Sequence, residues 1–196
     1  SFYQMEQEKQ KTEEELAAKI MEYARDELMI SMRFLDRALF RMPLVAADSV
    51  AAFGVDGATM YYNPEYVLHA FKREKNACTR AFLHMILHCI FSHPFQYEKL
   101  DRECWDLATD LAVEQSILDL NLKCVELERD ASLKRTLSHL AQKVPILTAE
   151  KIYRWLYENP EESAEFFREE PQFMWDDHLK WIPLKENEAG ERRNDS

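Results

Sequence analysis

Three histidines lie within the most apolar stretch of the chain, and they constrain its fold more than any other feature. The stretch reads His84-Met85-Ile86-Leu87-His88-Cys89-Ile90-Phe91-Ser92-His93. An α-helix turns by about 100° per residue, so His84 and His88 lie on one face. The surrounding apolar residues predict a helix that is buried nearly all round. Because burying an unpaired polar ring costs roughly 1–3 kcal/mol, the two imidazoles predict a shared divalent metal ion.

His93 is predicted to join this pair. Pro94 follows it, and a residue before proline is pushed out of the α conformation, so the helix should end just before His93. The turn would bring His93 back toward His84 and His88. Three His ligands suit zinc, with a fourth position open. The alternative is that the first two histidines are hydrogen-bonded core residues and that His93 only caps the helix.

The residue after the first histidine bears on catalysis. The spacing of the pair matches the H-E-x-x-H zinc helix, in which the glutamate is a general base. Met85 occupies that position here. A thioether cannot abstract a proton, and loss of a positioned base commonly lowers the rate by about 10²–10⁴-fold. The pattern therefore predicts the metal ligands without the usual base.

Composition excludes several classes of function. The 196 residues, 46% of them hydrophobic, predict a single domain at 1–184, followed by a charged tail or linker at 185–196. The formal net charge of −11 argues against a nucleic-acid partner. No run approaches the roughly 18–20 apolar residues of a membrane span. We therefore expect no nucleic-acid or membrane partner.

The cysteines and the first residues indicate the setting. Four widely spaced cysteines without a C-x-x-C pair favour free thiols in a reducing cytoplasm. We identify no signal peptide, and the chain begins with Ser1 rather than Met, which is typical of a processed chain or a fragment. We expect a soluble, cytoplasmic protein.

Periodicity predicts a mostly helical α+β fold. The predicted elements are N-terminal helices at 12–42, a β-hairpin at 49–62, a metal helix at 77–91, an acidic-stripe helix at 101–120 and C-terminal helices at 131–158. Thr12 and Glu15 have capping-box spacing, so the first helix is expected to begin at Thr12. Asp56-Gly57 predicts a tight hairpin turn.

Three acids recur every four residues on the helix at 101–120, namely Asp106, Asp110 and Glu114. Asp110 and Glu114 are the candidates to replace the missing base. For Asp110 we favour two other roles: accepting the free N–H of a ligating histidine, or acting as the fourth metal ligand. Glu114 and Asp106 are expected on the solvated side of the helix. His178 follows two acids, and a surface turn is favoured for it over the alternative that it reaches the site from the C-terminal segment.

Four motifs occur in the order of a known family. They are Asp56 to Pro64, His84-x-x-x-His88-x-x-x-x-His93, Trp105 to Asp110, and Asp176-Asp177-His178 with Trp181. Together they resemble the putative metallopeptidase domain often found ahead of a von Willebrand factor A-like domain in bacterial proteins, over about residues 28–181. The resemblance implies a zincin-like fold in which the hairpin packs on the helices, the histidines bind zinc and Asp110 is directed at the site. Family members often carry Glu where this chain has Met85.

Two functions from different classes follow. The first is a peptide hydrolase with one zinc ion held by the three histidines and a substrate aligned on the strand at Thr59, Met60 and Tyr61 by strand addition. The second is a non-catalytic zincin-like scaffold that binds a protein segment. The partner implied by the resemblance is a von Willebrand factor A-like module or an AAA-type ATPase. Because of Met85, we predict a metallopeptidase-like domain with weak or absent hydrolysis.

Overall fold

The structure, a computed structural model, describes residues 1–33, 40–96 and 101–181. Its elements are α1 (Phe2–Ser31), β1 (Leu44–Ala46), β2 (Phe53–Val55), β3 (Met60–Tyr62), α2 (Pro64–Arg73), α3 (Ala77–Ile90), α4 (Arg102–Leu120), α5 (Asp130–Lys143), α6 (Ala149–Glu158) and α7 (Ala164–Arg168). Short 3-10 turns lie at His93–Gln96, Lys123–Val125, Glu170–Gln172 and His178–Trp181. A small mixed sheet packs on helices, so the predicted α+β, mostly helical class is confirmed. The tail predicted at 185–196 lies outside the described residues.

The first helix begins at Phe2, and the predicted start at Thr12 is wrong. Ser1 caps this helix, because its hydroxyl accepts a hydrogen bond from the Gln4 amide. Thr12 lies inside α1, where its hydroxyl donates to the Glu8 carbonyl at 2.9 Å. A threonine within a helix can bond to the carbonyl four residues earlier instead of capping. The part of the predicted 12–42 helices at 34–39 lies outside the described residues.

The predicted hairpin at 49–62 is confirmed, with short strands. β2 and β3 pair antiparallel. In the turn between them the Asp56 carboxylate accepts hydrogen bonds from the amides of Ala58 and Thr59. Gly57 has a φ of 90°, which glycine adopts without steric penalty.

The strand predicted to align a substrate is the central strand of the sheet. β1, which we did not predict, pairs parallel to β3, and β2 pairs on its other side. Strand addition needs a free edge, and β3 has its two edges paired within the sheet. Thr59, Met60 and Tyr61 are therefore not placed to add a peptide strand. The Tyr61 hydroxyl instead donates to the Asp56 carboxylate at 2.9 Å.

Two apolar clusters form the core, and α4 lies between them. One cluster joins α1, the sheet, α2 and α3, and the other joins α4, α5 and α6. Val113 and Ile117 of α4 belong to the first cluster, while Leu107 and Leu111 belong to the second. Residues 77–88 of α3 are all buried, as its apolar sequence predicts. Polar side chains that lie between α3 and α4 are therefore removed from solvent.

No helix among the described residues has both the length and the apolar character that a membrane span needs.

Candidate metal centre

The histidine helix ends where Pro94 predicts. Ile90 is the last residue of α3, and Ser92 takes a left-handed φ of 59°. His93 then starts a 3-10 turn. The reversal keeps His93 next to the helix that it follows.

Four buried side chains converge between α3, α4 and the C-terminal segment. They are His84, His88, Asp110 and Asp176, and one ligand atom from each lies within 4.8 Å of the others. Asp110 Oδ1 is 3.0 Å from Nε2 of His84 and 3.0 Å from Nε2 of His88, and these two nitrogens are 2.9 Å apart. Asp176 Oδ1 is 3.3 and 3.4 Å from the same two nitrogens. We call these four residues the metal-ligand group.

Asp176 reaches this group because its segment joins the sheet. Asp176 forms a parallel bridge with Phe53 of β2, and the Asp177 amide donates to the Phe53 carbonyl at 2.8 Å. Asp176 belongs to one of the motifs of the resemblance, but its place in the metal-ligand group was not predicted. Nothing in the local pattern predicts that this short segment pairs with a distant strand.

His178 lies beside the metal-ligand group, and its predicted position on a surface turn is wrong. His178 Nε2 is 3.2 Å from Asp110 Oδ1 and 3.4 Å from Asp176 Oδ1. Its other nitrogen, Nδ1, is 2.8 Å from Asp106 Oδ1. The ring stacks on Trp181, with centroids 3.7 Å apart. This stacking buries the imidazole and turns Nε2 toward the two aspartates.

The chemistry of the group fits a divalent metal ion. Within the part of the chain that the structure describes, Asp110 Oδ2, the two carboxylate oxygens of Asp176 and His178 Nε2 are buried without a hydrogen-bond partner. Buried carboxylates are costly unless a cation or hydrogen bonds compensate them. Imidazole nitrogens and carboxylate oxygens are the donors that zinc and similar ions bind. The group can therefore hold a metal ion.

When no metal is bound, protons on the histidines compensate the negative charge of these buried carboxylates. Burial alone would raise the pKa of Asp110, but the charge and hydrogen bonds of His178 and the other histidines hold that pKa well below its usual range. Burial alone would lower the pKa of His84, but the nearby carboxylates of Asp110 and Asp176 raise it well above its usual value. The pKa of His178 is likewise raised against the effect of burial, chiefly by Asp110 and Asp176. A metal ion would have to displace these protons.

Comparison with known proteins supplies the family. The model of a family described as "putative metallopeptidase domain" matches residues 17–193. The chain belongs to this family. No curated protein and no solved structure matches it. Metal binding and a metallopeptidase-like domain thus rest on two independent observations, the family and the metal-ligand group.

Glu114 lies behind His84 of the metal-ligand group, and its predicted place on a solvated helix face is wrong. Its side chain is fully buried, because both faces of α4 pack against core. Glu114 Oε1 lies 3.3 Å from His84 Nδ1 and accepts a hydrogen bond from Trp175 Nε1 at 2.6 Å. Glu114 Oε2 accepts two hydrogen bonds from Arg80 at 2.6 and 2.9 Å. With its oxygens engaged, Glu114 is suited to orienting His84 rather than to acting as a base.

Arg80 is the fully buried cation behind this network. Besides Glu114, it donates to the Val125 carbonyl at 2.8 Å and to Asp130 at 3.1 Å. Burial would lower the pKa of Arg80, but Glu114 and Asp130 outweigh it and raise that pKa. Arg80 was not among the predicted site residues. The available signal was a single arginine in an apolar helix, one turn before His84.

His93 lies on the other nitrogen of His88. Its Nδ1 is 3.1 Å from His88 Nδ1, whereas His88 Nε2 faces the metal-ligand group. Burial lowers the pKa of His93 to about 2, so the ring is neutral. The Nδ1 of a neutral His93 can accept a hydrogen bond from Nδ1–H of His88, which leaves the lone pair of His88 Nε2 free for a metal. The geometry thus gives His93 an orienting position instead of the predicted position as a third ligand.

Met85 points into the apolar core. It is fully buried in the cluster shared by α1, the sheet and α3. A glutamate at this position, as family members often carry, would lie in the same apolar cluster.

A cavity of about 400 Å³ opens beside the metal-ligand group. Its polar wall includes Asp106, Asp110, Glu170, Asp176 and His178. Glu170 is half-buried, and burial followed by the charges of Asp110 and Asp106 raises its pKa to about 7. Glu170 was not among the predicted site residues. It lies on a short turn with no periodicity that could indicate its direction.

Proposed function

We propose that this domain binds one zinc ion through His84, His88, Asp110 and Asp176 and hydrolyses peptide bonds. The observation that supports the proposal is the convergence of four buried ligand atoms within 4.8 Å beside a cavity, in a chain of a metallopeptidase family. Two imidazoles and two carboxylates suit zinc, and His178 lies next to them. When bound, zinc would polarise a scissile carbonyl and lower the pKa of water.

Peptide hydrolysis also needs a side chain that takes and returns a proton, and Glu170 is the best candidate. Met85 has no basic atom, the oxygens of Glu114 are engaged, and Asp106 is bound to His178. The Glu170 carboxylate has neither a hydrogen-bond nor an ion-pair partner among the described residues. A pKa of about 7 allows it to exchange a proton near neutral pH. Glu170 would accept a proton from water in the cavity and return it to the leaving amine.

We expect this hydrolysis to be slow. Glu170 lies on the 3-10 turn Glu170–Gln172 and not on α3, where the family usually places its base. A short turn holds a side chain less rigidly than a helix, and loss of geometry at the reacting atoms lowers the rate.

The test combines metal analysis with peptide cleavage. Protein purified without added metal or chelator should contain one equivalent of zinc, and His88→Ala should lose it. A panel of unstructured peptides should be cleaved by wild type, and a chelator should stop the cleavage. Glu170→Gln should retain zinc and lower the rate by roughly 10²-fold. Absence of metal in wild type would refute the proposal, and full activity of Glu170→Gln would remove the role of Glu170.

A second candidate is the non-catalytic scaffold. The observation that favours it is the burial of Met85 in apolar core, because the position that usually holds the base cannot reach the cavity. Zinc would then stabilise the fold without turnover. Zinc-loaded wild type that cleaves none of the peptides would support this function. A von Willebrand factor A-like or AAA-type ATPase partner stays a prediction.

A further inference from the structure

A second cavity of about 430 Å³ lies next to the first. The two cavities share four wall residues: Ala51, Tyr66, Met174 and Trp175. Trp175 directly precedes Asp176 of the metal-ligand group. A ligand held at the metal-ligand group could therefore extend along Trp175 into the second cavity.

Arg129 lines this second cavity, and no carboxylate of the described residues forms an ion pair with it. Its guanidinium carbon stacks 4.3 Å from the centroid of the Trp175 ring. Its Nε and Nη2 are buried and donate no hydrogen bond to any of the described residues. The acids whose charge acts on Arg129, Glu114 and Asp130, already bind Arg80. A guanidinium that is held in place but unpaired is available to an anion.

The charges of the two cavities differ in a way that orients a ligand. Asp106, Asp110, Glu170 and Asp176 line the first cavity, so an anionic group is repelled there unless a metal ion binds it. The neighbouring cavity is lined by charges of both signs, Arg73 and Arg129 with Glu65 and Glu74, so an anionic group meets guanidinium cations there. Nε and Nη2 of Arg129 are shielded from solvent, so a carboxylate in this cavity would accept a charge-assisted hydrogen bond from Nη1.

We propose that Arg129 binds a carboxylate group of the peptide whose backbone lies at the metal-ligand group. The identification of the ligand as a peptide rests on the proposed function. The carboxylate is either the free C-terminus of the peptide or an acidic side chain near the reacting bond. Trp175 fixes the guanidinium by stacking, so Arg129 selects the substrate by charge and sets its direction along the two cavities.

The test measures binding and does not depend on turnover. Four fluorescent peptides differ at two places only: the C-terminus is an acid or an amide, and one internal residue is Glu or Gln. Binding of each peptide to the zinc-loaded full chain is followed by fluorescence anisotropy. One of the two carboxylates, the C-terminal or the internal one, should strengthen binding by about 10- to 100-fold. The pair of peptides that shows this difference identifies which carboxylate binds Arg129. Arg129→Gln should abolish the preference, and Arg129→Lys should retain part of it. Arg73→Gln is the matched control, because exposed Arg73 lines the same cavity and its loss should leave the preference intact.

Several results would overturn the inference. Equal binding of the four peptides to wild type would do so without any variant, even if Arg129→Gln failed to fold. Retention of the full preference in folded Arg129→Gln would also do so, as would no binding of any peptide. Cleavage without a carboxylate preference would refute the role of Arg129 and leave the proposed hydrolysis intact. An Arg129-dependent preference without cleavage would support the role of Arg129 and contradict the hydrolysis.

Discussion

Replacing Asp176 by Asn distinguishes the ligands assigned from the structure from the three histidines predicted from the sequence. Asp176 Oδ1 faces Nε2 of His84 and His88, whereas His93 contacts Nδ1 of His88. Structural zinc sites bind with about 10–16 kcal/mol, or about 2.5–4 kcal/mol for each of four ligands. Since about 1.4 kcal/mol is a factor of ten, Asp176→Asn should weaken zinc binding by about 10²–10³-fold. His93→Gln removes only an orienting contact, which commonly costs about 10–100-fold.

The thermal stability of the zinc-loaded protein gives a second measure. Zinc at 1,000 times its dissociation constant stabilises the folded state by about 4.1 kcal/mol. A 10²-fold loss of affinity removes about 2.7 kcal/mol of this, and for a domain of 150–250 residues each kcal/mol shifts Tm by about 2–4 °C. Asp176→Asn should therefore lower Tm by about 5–11 °C. Without zinc, the variant and wild type should differ less.

The assays are chelator competition for affinity and calorimetry for Tm, each with and without zinc. Asp177→Asn is the control, because it makes the same chemical change one residue further along the chain. If Asp176→Asn bound zinc like wild type while His93→Gln lost it, the three-histidine site would be correct and the metal-ligand group wrong.

Three further predictions concern the core and the protons of the site. Met85→Glu should destabilise the protein by about 3–5 kcal/mol in urea unfolding, because it buries an unpaired charge. The control Met85→Leu should cost less than about 1.5 kcal/mol. Equal stability of the two variants would contradict the buried position of Met85. Arg80→Met should cost about 3–5 kcal/mol in the same assay, because it leaves Glu114 buried without its cation; a neutral effect would contradict the network. The apparent affinity for zinc should rise with pH, by up to about tenfold per pH unit for each proton displaced. The reason is that the raised pKa values of His84 and His178 keep these side chains protonated without metal, so zinc must displace their protons. Calorimetry in buffers of different ionisation enthalpy should detect proton release at pH 7, and equal heats would refute it.

Features set by local periodicity and turn chemistry could be predicted from the sequence. His84 and His88 share a face because they are one helical turn apart, and Pro94 ends the helix before His93. Asp56-Gly57 specifies the hairpin turn. In each case the deciding residues lie within a few positions of one another.

Features that depend on tertiary packing could not be predicted. An acid on an amphipathic helix is normally assigned to solvent, but α4 packs against two core clusters, so Glu114 is buried on the side that seemed polar in the sequence. Asp176 and His178 come from a segment without helical or strand periodicity, and the bridge to Phe53 brings that segment to the site. Thr12 shows that a local pattern can also mislead, because capping-box spacing occurs here inside a longer helix and does not mark its start.

The origin of the metal-ligand group in three separate segments has a consequence for biosynthesis. The two histidines and Asp110 leave the ribosome well before Asp176, so a nascent chain carries an incomplete site while its central helices can already pack. Closing the long loop between Asp110 and Asp176 carries an entropic cost, which ion capture can offset only after the last segment has docked on β2. We therefore expect metal uptake to be one of the final events in the maturation of this protein.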